Sequence, residues 1–293
     1  MLSWQSTRDA ISILIAKKKY PKAAKLLRKE LHGEPGNVFM QQQLAEVLVR
    51  LGEKREALGI LNCLAEEFAS QGFVSKAIAT LKKMQRVNPQ ATSLEKRISD
   101  LIVEQRKPTT QTAEPEEGGI AIAADDGPDL MALVDDQPLE LELSDEDKTA
   151  PEKPKSSIKS PLFDDFSDEE LVAVIKGLNL STFESGEIVV TEGEPGTSMF
   201  VLASGFLRVY VRNARGQNAE VRLLEAGSFF GEISLISKQP RSATLTCASP
   251  CELLELNMEA LKEITSTHPK VPLIINEFYQ RRRNSPEEQQ ARS

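Results

Sequence analysis

The middle of this 293-residue chain cannot fill a hydrophobic core, and it separates two regions that can. Residues 108–160 carry 14 Asp and Glu against 4 Lys, a net charge of −10, with scattered prolines and no aromatic residue. The negative charges of such a segment repel one another, and the segment buries too little apolar surface to offset the entropy lost on ordering. We predict a disordered acidic linker over 107–160, between a domain at 1–106 and a domain at 161–293. Two apolar islands, 130–134 and 139–143, are interpreted as parts of this solvated spacer, with docking peptides as the alternative.

The first region has the periodicity of amphipathic helices. Apolar residues recur at i, i+3, i+4 and i+7 from Leu44 and again from Leu61. Gly33, Gly52 and Gly72 each follow an apolar run, where a left-handed glycine commonly ends a helix. Helices joined by such short turns pack antiparallel, so residues 1–106 are predicted to form an array of antiparallel α-helical hairpins.

Small residues recur at a regular distance in this array. Ala23 and Ala57 are 34 residues apart, and small residues there let helices approach closely. This spacing is the period of tetratricopeptide repeats, which the array resembles. The resemblance is incomplete, because Ala57 and Ala77 are only 20 residues apart. Such arrays present a curved surface to peptides or proteins, so the resemblance implies a protein partner.

The helical region is basic, with 19 Lys and Arg against 11 Asp and Glu in residues 1–107. This charge would attract acidic peptides, the chain's own linker or nucleic acid, while an ordinary solvated face is the alternative. Nucleic acid is the least favoured of these, because aromatic residues that stack on bases are scarce.

The second region has the short, turn-bounded strands of a β domain. In one of them Leu207, Val209 and Val211 alternate with polar residues, which predicts a single buried face. About seven or eight strands are enough to close a β-roll of the jelly-roll type. Flanking helices are predicted from a Ser167 and Glu170 capping box and from Asn257 as an N-cap. The predicted strands cover residues 187–191, 198–204, 206–212, 219–224, 242–248 and 251–257.

Residues 230–244, FGEISLISKQPRSAT, combine the chemical groups of an anion site. The glycine–glutamate step opens a predicted short helix, whose first amides and positive dipole end favour an anion. Arg241 follows Glu232 by nine positions, and its guanidinium offers a planar fork of donors matched to phosphate oxygens. A carboxylate only accepts hydrogen bonds, which suits the hydroxyls of a ribose.

This segment resembles the phosphate-binding cassette of cyclic nucleotide-binding domains, and residues 161–280 resemble that domain throughout. The resemblance implies that Glu232 contacts the ribose 2′-hydroxyl and that Arg241 contacts the cyclic phosphate. It also implies that the backbone amides of Gly231, Ile233 and Ser234 surround that phosphate. One departure is Thr197, where family members commonly have an aspartate; we interpret it as a turn variation outside the binding set.

The resemblance leaves the base of the nucleotide open. Ser242 is implied to contact either the phosphate or the purine, so the ligand is cAMP or cGMP. The base is often capped by an apolar or aromatic side chain of the last helix, for which Phe278 and Tyr279 are the candidates. In the alternative interpretation Glu232 and Arg241 only hold each other, because many domains of this fold have lost nucleotide binding.

Several classes of protein are not expected from this sequence. No stretch approaches the roughly 20 apolar residues of a membrane span. The first residues do not show the basic, then apolar, then small residues of a secretion signal, so a cytoplasmic location is expected. The cysteines lack the paired spacing of a zinc site and are interpreted as structural. No catalytic constellation or triphosphate-binding loop is recognised, so we expect no enzyme, metal or cofactor. The chain ends about ten residues past Arg283, so we expect no DNA-binding module after the β domain.

These observations predict a non-enzymatic cyclic nucleotide sensor or adaptor. Binding of cAMP or cGMP would change what the helical repeats or the linker engage. The alternative is a constitutive scaffold whose cyclic-nucleotide-type domain no longer binds nucleotide.

Overall fold

The computed structural model describes residues 4–89, 96–97, 99–100, 102–103, 161–213 and 216–283. The predicted linker at 107–160 lies outside the described residues, together with its two apolar islands. The bounds of the two domains and of the linker therefore stay predictions.

The N-terminal region is a helical array, as its periodicity predicts. Each helix contacts the next along the chain, and the small residues Ala23, Ala57 and Ala77 are fully buried. The identification of these helices with tetratricopeptide repeats stays a prediction. The helices are α1 (Trp4–Ala16), α2 (Tyr20–Gly33), α3 (Val38–Leu51), α4 (Lys54–Ser70) and α5 (Val74–Val87).

Two of the three predicted left-handed glycines follow their helices. Gly52 caps α3 with φ 81°, and Gly72 follows α4 with φ 78°. The prediction for Gly33 is wrong, because Gly33 is the last residue of α2 and is not left-handed; the C-cap is Glu34, with φ −132°. Glu34 precedes Pro35, and a residue before proline is driven out of the helical region.

The C-terminal region is a β-roll with flanking helices. The capping box of Ser167 and Glu170 and the Asn257 N-cap are both formed as predicted. The strands Asn179–Phe183 and Phe229–Phe230 were not predicted from the sequence, the second because two residues are too few for a periodicity. Its helices are α6 (Pro161–Asp164), α7 (Asp168–Gly177), α8 (Glu232–Ser237), α9 (Met258–Thr267) and α10 (Val271–Arg283). Its strands are β1 (Asn179–Phe183), β2 (Ile188–Val190), β3 (Ser198–Ser204), β4 (Leu207–Arg212), β5 (Asn218–Leu224), β6 (Phe229–Phe230), β7 (Thr244–Cys247) and β8 (Cys251–Asn257).

The strands form two four-stranded antiparallel sheets. The first sheet has the order β1-β8-β3-β6 and the second has the order β2-β7-β4-β5. Alternate residues of β3 belong to different cores: Phe200 and Leu202 pack inside the roll, whereas Met199 and Val201 pack against the helices. One strand thus links the interior of the roll to the helical layer outside it.

The described helical array and β-roll belong to one compact unit. Helix α5 contacts β1, β3 and β8, and one hydrophobic cluster includes Ile78 of α5 and Leu254 of β8. Among the described helices, none combines the length and the apolar character needed to cross a membrane.

Basic side chains of α5 hold it to the roll. Lys83 Nζ lies 2.5 Å from Glu252 Oε1 on β8 and 3.8 Å from Glu46 Oε1 on α3. Lys82 Nζ donates to the Lys176 carbonyl over 3.3 Å, and Arg86 donates to the Leu180 carbonyl. The contact between helices and roll is therefore both apolar and charged.

We expect Lys83→Met to lower the free energy of unfolding by about 1–3 kcal/mol, because Glu252 loses a charged hydrogen-bond partner. Urea denaturation followed by circular dichroism measures the change. Lys25→Met, at an exposed lysine of α2, is the matched control and should shift the midpoint little. Equal midpoints for the two variants would show that the Lys83 ion pair does not stabilise the contact.

Two of the cysteines lie inside the roll. Cys247 and Cys251 are buried free thiols, whereas Cys63 on α4 is exposed. Burial raises the pKa of the Cys247 thiol to about 12, and the neighbouring Cys251 adds to the shift. Because the thiolate is the reactive form, Cys247 is unreactive near neutral pH.

Native protein at pH 7.5 should therefore take up one equivalent of iodoacetamide, at Cys63. Unfolding in urea should raise the uptake to three equivalents, as all three thiols become accessible. Peptide mass spectrometry identifies the labelled positions. Rapid labelling of Cys247 in the folded protein would contradict the buried-thiol assignment.

Candidate functional site

A hollow opens beside the inner face of the second sheet. Its walls come from the second sheet, from β6 and α8, and from the last helix, α10. The enclosed part measures about 110 Å³, and one side is open to solvent. Ligand pockets usually measure about 300–1,000 Å³, so a nucleotide-sized ligand would also fill the mouth. The lining residues are Val190, Val209, Arg222, Leu224, Phe229, Phe230, Gly231, Glu232, Ile233, Ser234, Arg241, Ser242, Ala243, Leu245 and Tyr279.

Gly231 turns the chain from β6 into α8. Its φ of 84° is in the left-handed region, which a residue without Cβ adopts freely. Ile233 and Ser234 follow in the first turn of α8, where amides have no acceptor within the helix. The turn thus presents backbone donors at the hollow.

The Arg241 guanidinium is buried, with 8% of the residue exposed. Nη1 donates to the Gly231 carbonyl over 3.1 Å, and Nη2 donates to Ser198 Oγ over 3.4 Å. The guanidinium carbon lies 5.7 Å from the centroid of the Phe200 ring. Burial lowers the pKa of Arg241, while Glu232 and Glu255 oppose that shift. An arginine nevertheless stays protonated in proteins, so the hollow holds a permanent positive charge.

Backbone hydrogen bonds fix the position of Arg241. Its amide donates to the Glu194 carbonyl over 2.8 Å, and the Gly193 amide donates to the Arg241 carbonyl over 2.8 Å. The side chain therefore starts from a defined point on the loop before β7.

Two glycines leave the space that the guanidinium occupies. A Cβ on Gly196 would lie 2.4 Å from Arg241 Nε, and a Cβ on Gly231 would lie 2.3 Å from Nη1. The sequence analysis selects Gly231 as part of the site but does not select Gly196. Its role depends on a contact across the fold, which no local pattern reveals.

The structure brings the six residues of the predicted cassette to the one hollow. Glu232 and Ser234 are buried, Ile233 is half-buried, and Ser242 is exposed. These positions agree with a shared site, and the individual contacts to a ligand stay predictions.

The two candidates for capping a base differ in position. Tyr279 lines the hollow. Phe278 instead packs edge-on against Phe229, with 4.9 Å between ring centroids. The guanidinium carbon of Arg281 lies 5.4 Å from the centroid of the Phe278 ring. Only Tyr279 of the two lines the hollow, and the role of either residue as a base cap stays a prediction.

Sequence analysis did not select Arg222, which also lines the hollow. Arg222 lies two residues before the buried Leu224 on β5, and alternation along a strand places such residues on one face. That period-two signal could have identified it. Among the residues that the structure describes, no group of three or more His, Cys, Asp or Glu side chains could hold a metal ion.

Comparison with known proteins identifies the β-roll. Residues 180–268 match the family model described as the cyclic nucleotide-binding domain. A cyclic nucleotide-gated potassium channel of Mesorhizobium japonicum is 32% identical over 125 residues, covering 43% of this chain and 33% of the channel. The cAMP-dependent protein kinase regulatory subunit of Mycosarcoma maydis is 30% identical over 113 residues, covering 39% of this chain and 21% of that subunit. This chain therefore spans no more than about a third of these relatives.

Solved structures include similar chains. The Thermus thermophilus catabolite activator protein has a TM-score of 0.39 and 28% identity, covering 42% of this chain and 57% of that chain. A cyclic nucleotide-binding domain from Methylobacillus flagellatus has a TM-score of 0.39 and 25% identity, covering 44% of this chain and 75% of that chain. On the family match, residues 180–268 form a cyclic nucleotide-binding domain.

We expect Gly231→Ala to destabilise the protein more than Gly216→Ala does. Both glycines have positive φ, 84° and 75°, but a Cβ meets nothing within 4 Å at Gly216 and overlaps Arg241 at Gly231. Overpacking at Gly231 should lower the free energy of unfolding by about 1–3 kcal/mol beyond the control. Urea denaturation of the two variants measures this difference, and equal losses would show that Arg241 moves aside freely.

Proposed function

We propose that this protein is a non-enzymatic cyclic nucleotide sensor whose hollow binds cAMP or cGMP. The observation that carries the proposal is the buried Arg241 guanidinium, which lines the same hollow as the Glu232 carboxylate and the first turn of α8. Arg241 and Glu232 both lie within residues 180–268, the region that matches the cyclic nucleotide-binding family.

The phosphate is assigned to the end of the hollow at Arg241. The hydrogen bonds of this guanidinium go to neutral acceptors, the Gly231 carbonyl and the Ser198 hydroxyl. A phosphate oxygen would accept charge-assisted hydrogen bonds, which are roughly twice as strong as neutral ones. The amides of Ile233 and Ser234 add donors for the same anion.

The nucleoside is assigned to the remaining walls. Glu232, with 7% of the residue exposed, offers a carboxylate for the ribose hydroxyls. Val190, Val209 and Leu245 form an apolar wall suited to the face of a base, and Tyr279 supplies an aromatic ring from α10. The arrangement supports a ligand that has an anionic end, a polar middle and a flat apolar end.

We propose that α10 transmits the occupancy of the hollow. This helix contacts α8, carries Tyr279 at the hollow, and pairs with the segment before α7 through Arg281 and Asp165. A ligand that binds better to one arrangement of α10 would shift the population towards it. The helical array, whose α5 packs on the roll, would then engage a protein partner differently.

A constitutive scaffold is the second candidate function. It is favoured by the hydrogen bonds that already satisfy part of the Arg241 guanidinium without any ligand. Titration with nucleotide separates the two proposals.

Isothermal titration calorimetry of the full chain with cAMP and with cGMP is the test. We expect saturable binding of at least one of them, and Arg241→Ala should weaken it at least about tenfold by removing charged hydrogen bonds. Arg212→Ala, at an exposed arginine of β4, is the matched control and should bind as the wild type does. Folded protein that gives no heat with either nucleotide would favour the scaffold.

A further inference from the structure

A positively charged surface lies around the turn between α1 and α2. Six lysines contribute to it, and all six are exposed. Residues 10–29 contain no Asp or Glu, so this stretch of the chain carries no compensating charge of its own. The six residues, which we call the lysine patch, are Lys17, Lys18, Lys19, Lys22, Lys25 and Lys29.

The first hairpin gathers these lysines on its solvent side. Lys18 has φ 54° and lies in the turn from α1 into α2, so the three consecutive lysines form the tip of the hairpin. The other three recur at i, i+3 and i+7 on the exposed side of α2, whose opposite side is buried. The lysine patch is therefore one outward surface and not a set of scattered charges.

The only arginine of residues 10–29 is engaged within the array. Arg28 Nη2 lies 2.7 Å from Glu53 Oε2 and 2.7 Å from Glu56 Oε2. The lysine patch consists of ammonium groups, which are compact, hydrated point charges without the planar fork that binds one carboxylate or phosphate in a bidentate manner. Such groups suit a diffuse negative surface better than a single anion.

An exposed apolar side chain borders the lysine patch. Ile13 on α1 is 52% exposed. The Lys17 amide donates to the Ile13 carbonyl over 3.0 Å, so the two residues are neighbours one helical turn apart. Lysines beside an outward apolar side chain are typical of protein surfaces that lie in the headgroup region of a bilayer.

The lysine patch lies at the end of the array away from the acidic roll. Successive helices contact one another from α1 to α5, and α5 contacts the roll. Residues 161–293 carry 13 Lys and Arg against 19 Asp and Glu, a net charge opposite in sign to that of the helical region. Packed helices lie about 8–10 Å apart, and charges separated by more than about 8 Å are largely screened at physiological ionic strength. Repulsion between the roll and an anionic surface at α1 and α2 is therefore weak.

The magnitudes favour a lipid surface over an acidic polypeptide as the partner. An exposed ion pair with a polypeptide must hold two side chains in one geometry, which cancels much of its gain. Mobile anionic headgroups need no fixed pairing, and each lysine near them raises binding about fivefold. Nucleic acid is less favoured, because aromatic residues that stack on bases are scarce in the helical region.

We propose that the lysine patch binds the anionic phospholipid surface of a membrane, with Ile13 entering the headgroup region. The contact is peripheral, and it holds the α1 and α2 end of the array at the bilayer. This interaction is separate from the hollow and does not depend on nucleotide binding.

Co-sedimentation of the full chain with lipid vesicles tests the proposal. Phosphatidylcholine vesicles that contain about one-third phosphatidylserine should bind the protein at least about tenfold more tightly than pure phosphatidylcholine vesicles. Raising the salt concentration to about 1 M should release the protein, because the screening length then falls to about 3 Å.

Charge-reversal variants locate the contact. A triple variant with Lys22→Glu, Lys25→Glu and Lys29→Glu should bind the anionic vesicles more than about tenfold less tightly than the wild type. The matched control has the same net charge and should stay within about threefold of the wild type, because its changes lie outside the lysine patch. All six substitutions are at exposed positions, and circular dichroism checks that both variants fold. The control changes are Lys54→Glu, Lys262→Glu and Lys270→Glu.

A second variant examines the apolar contribution. Ile13→Ser should weaken binding to the anionic vesicles about threefold to tenfold, because less apolar surface leaves water. Ile188→Ser, at an isoleucine of β2 that is 58% exposed, is its control and should bind as the wild type does.

Three results would overturn the proposal. The first is equal binding to the two kinds of vesicle, and the second is an equal loss in the two triple variants. The third is no binding to the anionic vesicles. If the protein then binds a polyglutamate peptide or double-stranded DNA, and the Lys22, Lys25 and Lys29 reversal abolishes that binding, the lysine patch serves a different partner.

Discussion

The burial of one positive charge, the Arg241 guanidinium, constrains the rest of the site. A desolvated charge needs nearby acceptors, and the roll supplies them from two elements: the Gly231 carbonyl where β6 turns into α8, and the Ser198 hydroxyl at the start of β3. The close approach also requires that Gly196 and Gly231 carry no Cβ. The turn that exposes the amides of α8 is thus the same turn that accommodates the arginine.

The alternation of β3 connects this site to the helices. Phe200 faces the interior, where it stacks on Phe230 with 5.1 Å between ring centroids and lies near Arg241. Met199 and Val201, on the other face, belong to the cluster that includes α5, α7 and α10 residues. Strand β3 therefore has one face in the core beside Arg241 and the other face in the core that includes the helices.

Local patterns predicted much of this arrangement and missed what depends on register. The ends of β3 and β8 agree with the predicted strands, and the caps at Ser167 and Asn257 form as expected, because period-two alternation and capping act over a few neighbouring residues. β6 has two residues and carries no period, so no local pattern predicted it. Arg222 alternates in phase with Leu224, but only the strand pairing shows that it lies opposite Val209. Gly33 was wrongly assigned a left-handed conformation: it is the last residue of α2, and the chain leaves the helical region at Glu34, which precedes Pro35.

By itself the sequence determined the chemistry of the cassette, since Gly231, Glu232 and Arg241 lie within eleven residues and their donor and acceptor groups follow from residue type. Only the tertiary structure decided which distant residues join them. Through the folding of the two sheets, Gly196 approaches Arg241 and Arg222 reaches the hollow; Tyr279 also reaches it, while Phe278 packs on Phe229. The physical reason is that composition and spacing set what a side chain can bind, whereas strand register and helix packing set which side chains face the same cavity.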